Sequence, residues 1–482
     1  MYDLRPVGYV IGLLVAALGA TMIIPMLVDA FDQNGHWFVF VESAIITIAV
    51  GGMTAMACSN GVSDRLSLQQ TFLLTTGVWL MLPVFAAIPF LIGPTEARAV
   101  DAFFEAMSGL TTTGATVFSG LDDLPRGLLL WRSMLQWFGG VGIIVVAMVF
   151  LPELRVGGMQ IFRSEAFETD GKVLPRAAQI ASRISVIYVG LTVVCAFTYL
   201  MVGLSGWDAI NHALTTMSTG GFSTRDASFG AFQGPAEYVA TVFMVLASLP
   251  FVRYVQMLAG SAKPILHDSQ VRVYLAVNLV LIVLLSAYRI VFDDAHLESS
   301  FREASFNVTS ILTGTGYASV DYQLWGAFPV VTFFFIGLIG GCAGSTCCSV
   351  KIFRYQLLFS SIRSQIRRIH SPHGIFMPRY DGRPVDEDIL SSVMAFFVLF
   401  IVSMGVLSVA LSATGLDFAT SVSGAASAIA NVGPGLGDTI GPAGNFAPLN
   451  DTAKWLLAVA MLIGRLELMA VFALFTVNFW RG

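Results

Sequence analysis

Long apolar blocks separated by short polar breaks follow one another along the whole chain. A helix needs roughly 20 mainly apolar residues to cross a bilayer. Ten blocks are long enough, at 7–29, 37–58, 70–94, 128–150, 178–204, 235–258, 271–292, 327–353, 389–413 and 453–479, so the pattern predicts ten membrane-spanning helices. Four more segments, 101–112, 208–219, 303–314 and 420–431, have helical character but are too short to span and too polar for lipid. Irregular backbone at membrane depth survives only inside protein or beside a wet cavity. Each short segment therefore reads as a half-helix that enters the membrane and returns through an extended loop.

Composition agrees with this pattern. The chain is 56% hydrophobic and 12% charged, against about 25% charged in ordinary soluble domains. The first apolar block is too long for the core of a cleaved signal and lacks a clear cleavage site, so it is expected as a helix. With a cytoplasmic N-terminus, the inner segments hold 18 Lys+Arg against 11 Asp+Glu, and the outer segments hold 7 against 19. The basic loops 151–184 and 351–388 then lie inside, as the positive-inside rule asks. The acidic outer face would gather cations. Cys58, Cys195, Cys342, Cys347 and Cys348 sit in or beside apolar blocks, and no structural disulfide is expected.

Each short segment ends on a glycine-centred motif. The four read Thr112-Thr113-Gly114-Ala115-Thr116, Thr219-Gly220-Gly221-Phe222-Ser223, Gly314-Thr315-Gly316-Tyr317-Ala318 and Asn431-Val432-Gly433-Pro434-Gly435. The central glycines lie 107, 95 and 117 residues apart, the spacing of one supersecondary unit repeated four times. Six residues before each stands a hydroxyl: Ser108, Thr215, Ser310 or Ser427. Thirteen before stands a residue suited to a helix start: Asp101, Asp208, Glu303 or, more weakly, Thr420. In the fourth copy the nearest acid is Asp417, sixteen residues before Gly433.

The expected repeat is outer helix, pore half-helix, extended loop and inner helix. The expected fold is all-α and polytopic, with a leading helix pair and four repeats around one pseudo-fourfold pore. The repeats fall at 63–155, 172–262, 270–357 and 385–482, after a leading pair at 1–62. Four loops meeting on an axis would offer carbonyl oxygens in place of a monovalent cation's hydration shell, and glycine suits the crowded axis. Helix packing or ordinary turns would account for any one of these glycines, but not for four with the same upstream residues. The hydroxyls at minus six are expected to pack the half-helices rather than bind ions. His212 is expected to be a buried, hydrogen-bonded residue.

These four motifs, the run Gly340-Gly341-Cys342-Ala343-Gly344-Ser345-Thr346 and the run Gly464-Arg465-Leu466-Glu467 resemble the Trk/Ktr/HKT superfamily of potassium transporters, and most closely its TrkH type. The resemblance covers the whole chain, including the leading pair. It implies potassium uptake through a filter at Thr112, Thr113, Gly114, Thr219, Gly220, Gly221, Gly314, Thr315, Gly316, Asn431, Val432 and Gly433. Potassium itself would be held at Thr112, Thr113, Thr219, Gly220, Gly314, Thr315, Asn431 and Val432. Glycine at the first filter position marks potassium preference. The resemblance also implies a homodimer in a bacterial inner membrane, with both termini cytoplasmic. Its expected partner is a cytosolic TrkA-like ring that binds a nucleotide (ATP/ADP or NAD). This chain itself is expected to bind no cofactor and no nucleic acid, and membrane lipid surrounds it.

The glycine- and hydroxyl-rich run interrupts the apolar block at 327–353. The resemblance implies an intramembrane loop here below the filter, with Gly340, Gly341, Gly344, Ser345 and Thr346 as part of a gate; a kinked packing helix is the alternative. Cys347-Cys348-Ser349 departs from the glycines usual there. Arg465 lies inside the last apolar block, where an arginine costs roughly 2.5–3.5 kcal/mol on insertion scales and so must face protein or water. It is expected to point toward the pore near the 340–346 loop and to repel cations as part of the gate; a structural bond to backbone carbonyls is the alternative. Asp386, Glu387 and Asp388 are expected to begin the next helix, and the basic loop before them offers a docking surface for the cytosolic ring. No catalytic metal motif, nucleophile elbow or regular arginine ladder appears, which argues against an enzyme and a voltage sensor. A carrier that couples potassium to sodium or proton entry is the other transport reading.

Overall fold

The computed structural model describes residues 3–61, 66–149, 158–162, 173–261 and 263–481. The expected boundaries at 62–63, 155, 172 and 262, and half of the basic loop 151–184, lie outside them. Among the described residues, seven helices are long and apolar enough to cross a membrane: Arg5–Phe31, Trp37–Cys58, Leu68–Ile92, Arg126–Val146, Ala181–Met201, Ser269–Phe292 and Glu387–Ala413. The first two form the leading pair. Their backbones approach closely through small residues, because a Cβ on Gly12 would fall 2.6 Å from the Ala55 nitrogen and 2.7 Å from the Gly51 carbonyl. Small residues at the interface are how helices gain contact where lipid offers no hydrophobic driving force.

Four repeats follow. Their half-helices are Ala99–Leu110, Gly206–Met217, Leu297–Thr313 and Phe418–Ala430. Two of the starts differ from expectation. The third half-helix begins at Leu297, so Glu303 lies inside it and pairs with Arg289 at 2.5 Å instead of marking the start. The fourth is capped by Asp417, whose carboxylate accepts from the Thr420 backbone N–H at 3.1 Å. The acid sixteen residues before Gly433 is therefore the N-cap, and Thr420 is not.

Only the first inner helix, Arg126–Val149, is continuous; the other three expected spans are broken. The second runs as Pro235–Ala247 and Phe251–Leu258, bent by 88° where Ser248-Leu249-Pro250 intervenes. Pro250 supplies no backbone donor and disfavours helix in the residue before it. The third is helical over Ala327–Ile336, leaves the helix through residues 337–351 and resumes at Ile352–His370. The fourth is cut into Asp451–Arg465, Met469–Ala473 and Val477–Arg481, with Glu467 at φ 61° and Leu468 at φ 42° in the first break. Hydropathy reports what lipid tolerates and is blind to the path the backbone takes. The basic segment after Ile352–His370 closes on a two-stranded antiparallel hairpin, Arg379–Tyr380 with Arg383–Pro384. Asp386 stands at the N-terminal boundary of the next helix without a side-chain capping bond, and Glu387 and Asp388 fall in its first turn.

Candidate ion-conduction site

All four half-helices end in the same way. The residue two before each central glycine takes a left-handed conformation: Thr112 (φ 54°), Thr219 (φ 50°), Gly314 (φ 72°) and Asn431 (φ 52°). The next N–H then reaches back to the carbonyl of the residue at minus six: Thr113 to Ser108, Gly220 to Thr215, Thr315 to Ser310, each at 2.9 Å, and Val432 to Ser427 at 3.0 Å. This is the Schellman closure of a helix C-terminus, repeated four times. It turns the chain sharply off the helix axis and sends the motif toward the centre of the molecule.

The four motifs meet there as a closed ring. A Cβ on Gly114 would overlap the Gly220 carbonyl oxygen, and one on Gly221 would overlap that of Thr315. One on Gly316 would overlap the Val432 oxygen, and one on Gly433 would fall 2.7 Å from the Thr113 oxygen. The order runs from repeat one to two, three and four, and back to one. Each glycine is thus replaced in space by a carbonyl of the next repeat, and only a residue without a side chain fits. Asn431 adds a side-chain bond across the closing seam, donating from Nδ2 to Thr113 Oγ1 at 2.9 Å.

Side chains behind the ring hold each returning strand. At nine residues before the central glycine stand Glu105, His212 and Asn307, all fully buried. Glu105 accepts from Val117 N at 2.9 Å, His212 Nε2 meets Ser223 Oγ at 3.0 Å, and Asn307 Oδ1 accepts from Ser319 N at 3.2 Å. In the fourth repeat Ser423, one position earlier, accepts from Leu436 N at 2.8 Å. His212 is thus the buried hydrogen-bonded residue expected, with a task that recurs in the other repeats. Two of the minus-six hydroxyls also tie down the ring: Ser310 donates to the Tyr317 carbonyl at 2.7 Å and Ser427 to the Gly433 carbonyl at 2.8 Å.

Three buried polar groups that the motif reading did not single out complete the support. Arg132, in the first inner helix, pairs with Glu105 at 2.8 Å and donates to the Ser223 carbonyl at 3.0 Å. Lys454, in the fourth, pairs with Asp101 at 2.6 Å. Gln136 donates to the Gly220 carbonyl at 2.6 Å. Charged or amide side chains inside apolar blocks are the signal that would have found all three.

One face of the ring opens on a vestibule of ≈ 540 Å³ lined by all four central glycines, Arg132 and Asp438. The other face is covered by the interrupted third inner helix. Thr219 Oγ1 lies 3.3 Å from Thr346 Oγ1, and Thr112 Oγ1 lies 3.7 Å from Cys348 Sγ. The interrupting segment is itself well bonded. Gly340 N donates to the Val350 carbonyl (2.8 Å), Cys342 N to that of Ser248 (3.0 Å), and Phe251 N to that of Gly344 (3.0 Å). Ser345 Oγ donates to the Cys342 carbonyl at 2.7 Å, and Thr346 Oγ1 to that of Ala247 at 3.1 Å. Gly341 packs against Cys347 and Ser248.

Arg465 is buried beside this segment. Its Nη1 bonds Cys348 Sγ and reaches the Thr346 carbonyl at 3.5 Å, and its Nη2 donates to the Gly139 carbonyl at 3.1 Å. The Trp79 ring lies 5.5 Å from its guanidinium. Arg465 thus bonds backbone carbonyls and lies against the 340–346 loop. Lys351 donates to the Cys347 carbonyl, which puts a second cation on the same segment. Arg354, one turn further on, pairs with Glu467 at the break in the last helix.

The fold is that of a helical membrane protein of four like repeats whose glycine-centred loops meet in one closed ring. Residues 36–480 match the family model for TrkH, described as a cation transport protein. The chain is 42% identical over 478 residues to the Trk system potassium uptake protein TrkI of Halomonas elongata, covering 99% of this chain and 97% of that one. It is 36% identical over 489 residues to TrkH of Escherichia coli K12, covering 99% of both. The crystal structure of the potassium transporter TrkH from Vibrio parahaemolyticus superposes with a TM-score of 0.92 at 32% identity, covering 100% of both chains. The chain belongs to the TrkH family.

Proposed function

We propose that this protein takes up potassium across a bacterial inner membrane, and that the carbonyl ring is its selectivity filter. In this reading the carbonyls and hydroxyls at Thr112, Thr113, Thr219, Gly220, Gly314, Thr315, Asn431 and Val432 replace the water around the ion. The observation that carries it is the cyclic closure, in which each of Gly114, Gly221, Gly316 and Gly433 is met by a carbonyl of the next repeat. The relatives' names, Trk system potassium uptake proteins, supply the ion.

The segment containing Gly340, Gly341, Gly344, Ser345 and Thr346 acts as the gate. What supports this is that Thr346 and Cys348 of the same interruption lie against Thr219 and Thr112, with Arg465 beside them. The basic surface of 351–388 takes the cytosolic nucleotide-binding ring, whose ATP/ADP or NAD binds the partner and not this chain. Two copies form the working dimer.

The test is potassium flux from liposomes containing the purified chain, compared with Gly221→Ala. That methyl would overlap the Thr315 carbonyl. Flux should fall markedly in folded protein, and equal flux would remove the ring from the ion path.

A further inference from the structure

A second cavity lies behind the ring, apart from the conduction axis. It measures ≈ 540 Å³ and is bounded by the first leading helix (Leu14, Ala17), the first outer helix (Trp79) and the first inner helix (Gly139, Gly142), with Ser185 of the second outer helix at its edge. Its lining is apolar almost throughout, with no charged side chain. Leu14 is 40% exposed, and Val186, next to Ser185 in the chain, is 69% exposed. The cavity is therefore continuous with the surface that the bilayer covers. Water gains nothing in a space with so few polar partners, while leaving it empty forfeits dispersion contacts along its whole lining.

We infer that this cavity is a binding site for one acyl chain of a membrane phospholipid, and that the bound chain buttresses Arg465. Trp79 and Gly139 form the wall between the two. Their far sides hold the arginine, the indole 5.5 Å from its guanidinium and the Gly139 carbonyl accepting from Nη2 at 3.1 Å. A chain in the cavity presses on the indole and on the helix turn that carries that carbonyl. The inference that lipid thereby influences conduction rests on the gating role proposed for Arg465. Occupancy of the cavity does not.

The experiment uses the full chain in liposomes of phosphatidylcholine brominated at successive acyl positions, which quench tryptophan on contact. Trp79 emission is isolated by subtracting the spectrum of Trp79→Phe. Strong quenching of the Trp79 component at mid-chain bromine positions is expected. Ala17→Leu together with Gly142→Leu fills the space and should abolish most of that quenching while the other tryptophans keep theirs. A Cβ at 142 meets the Trp79 ring at 3.7 Å, an ordinary contact, so the added side chain starts without a backbone clash. An unquenched Trp79, or quenching untouched by the filling pair, would overturn the site. Potassium flux in the same vesicles tests the buttress: the filling pair should change flux when Arg465 is present and leave it unchanged in an Arg465→Ala background. A filling pair that changes flux equally in both backgrounds, or in neither, would overturn the buttress without touching the quenching result.

Discussion

Gln136 grips segment two of the ring from both sides of Gly221: its Nε2 donates to the Gly220 carbonyl at 2.6 Å and its Oε1 accepts from Phe222 N at 2.9 Å. The side chain is fully buried. The position of the Gly220 oxygen is therefore set by a group outside the segment. Gln136→Leu should leave two buried backbone groups without a partner, at about 1–3 kcal/mol each. The segment should loosen and potassium-over-sodium permeability should fall. Permeability ratios in planar bilayers check this, and an unchanged ratio in folded protein would mean that Gln136 only packs.

Arg465→Ala removes a buried positive charge beside the segment that covers the ring. It also frees Cys348 and the Gly139 carbonyl from their bonds to the guanidinium. Potassium flux without any partner should rise. Flux at or below the wild-type level, in protein that melts normally, would assign Arg465 to structure alone.

The Arg354–Glu467 pair joins the helix that follows the covering segment to the break in the last helix. Removing one member of a buried pair costs roughly 3–5 kcal/mol, whereas replacing both by apolar groups is often close to neutral. Glu467→Gln should therefore lower the melting temperature markedly, and Arg354→Met with Glu467→Leu should recover much of the loss. A single and a double variant that melt alike would contradict the pairing.

Beyond the ring, the loops of repeats one and two are tied together. Arg225 pairs with Asp122 at 2.9 Å, and Asp226 accepts from Gly120 N at 2.9 Å. The hydrogen bond from Arg225 holds the Asp122 carboxyl below its ordinary value of 3.8, with burial opposing and the Asp226 backbone N–H assisting. A lowered carboxyl contributes fully above its unfolded value and loses that contribution as pH falls through the folded one. Amide exchange in 118–123 and 224–228, corrected for intrinsic rates, should stay protected from neutral pH to about 4 and rise only below that. Earlier loss of protection would contradict the tie.

Much of the site was legible in the sequence because it repeats. Four glycines with hydroxyls at minus six located the half-helix ends, and the backbone closure to Ser108, Thr215, Ser310 and Ser427 follows that spacing. The same alignment carried a signal at minus nine. Glu105, His212 and Asn307 share no chemistry beyond hydrogen bonding, so residue likeness did not align them, and of the three His212 alone was singled out. Of the breaks in the inner helices, the glycine-rich run marked the third, and those of the second and fourth were less legible. A span such as 453–479 stays apolar on average while Glu467 and Leu468 take left-handed angles. Nor does spacing reveal Gln136, whose role depends on the first inner helix passing beside the second repeat. Such contacts between repeats arise only once the four units close.

The central claim is that the carbonyl ring passes potassium selectively and passively. Its most direct test is the reversal potential of the purified protein in a bilayer with opposed potassium and sodium gradients. The account predicts a value that follows the potassium gradient. A value that follows sodium, or no current until a second ion gradient is supplied, would contradict it.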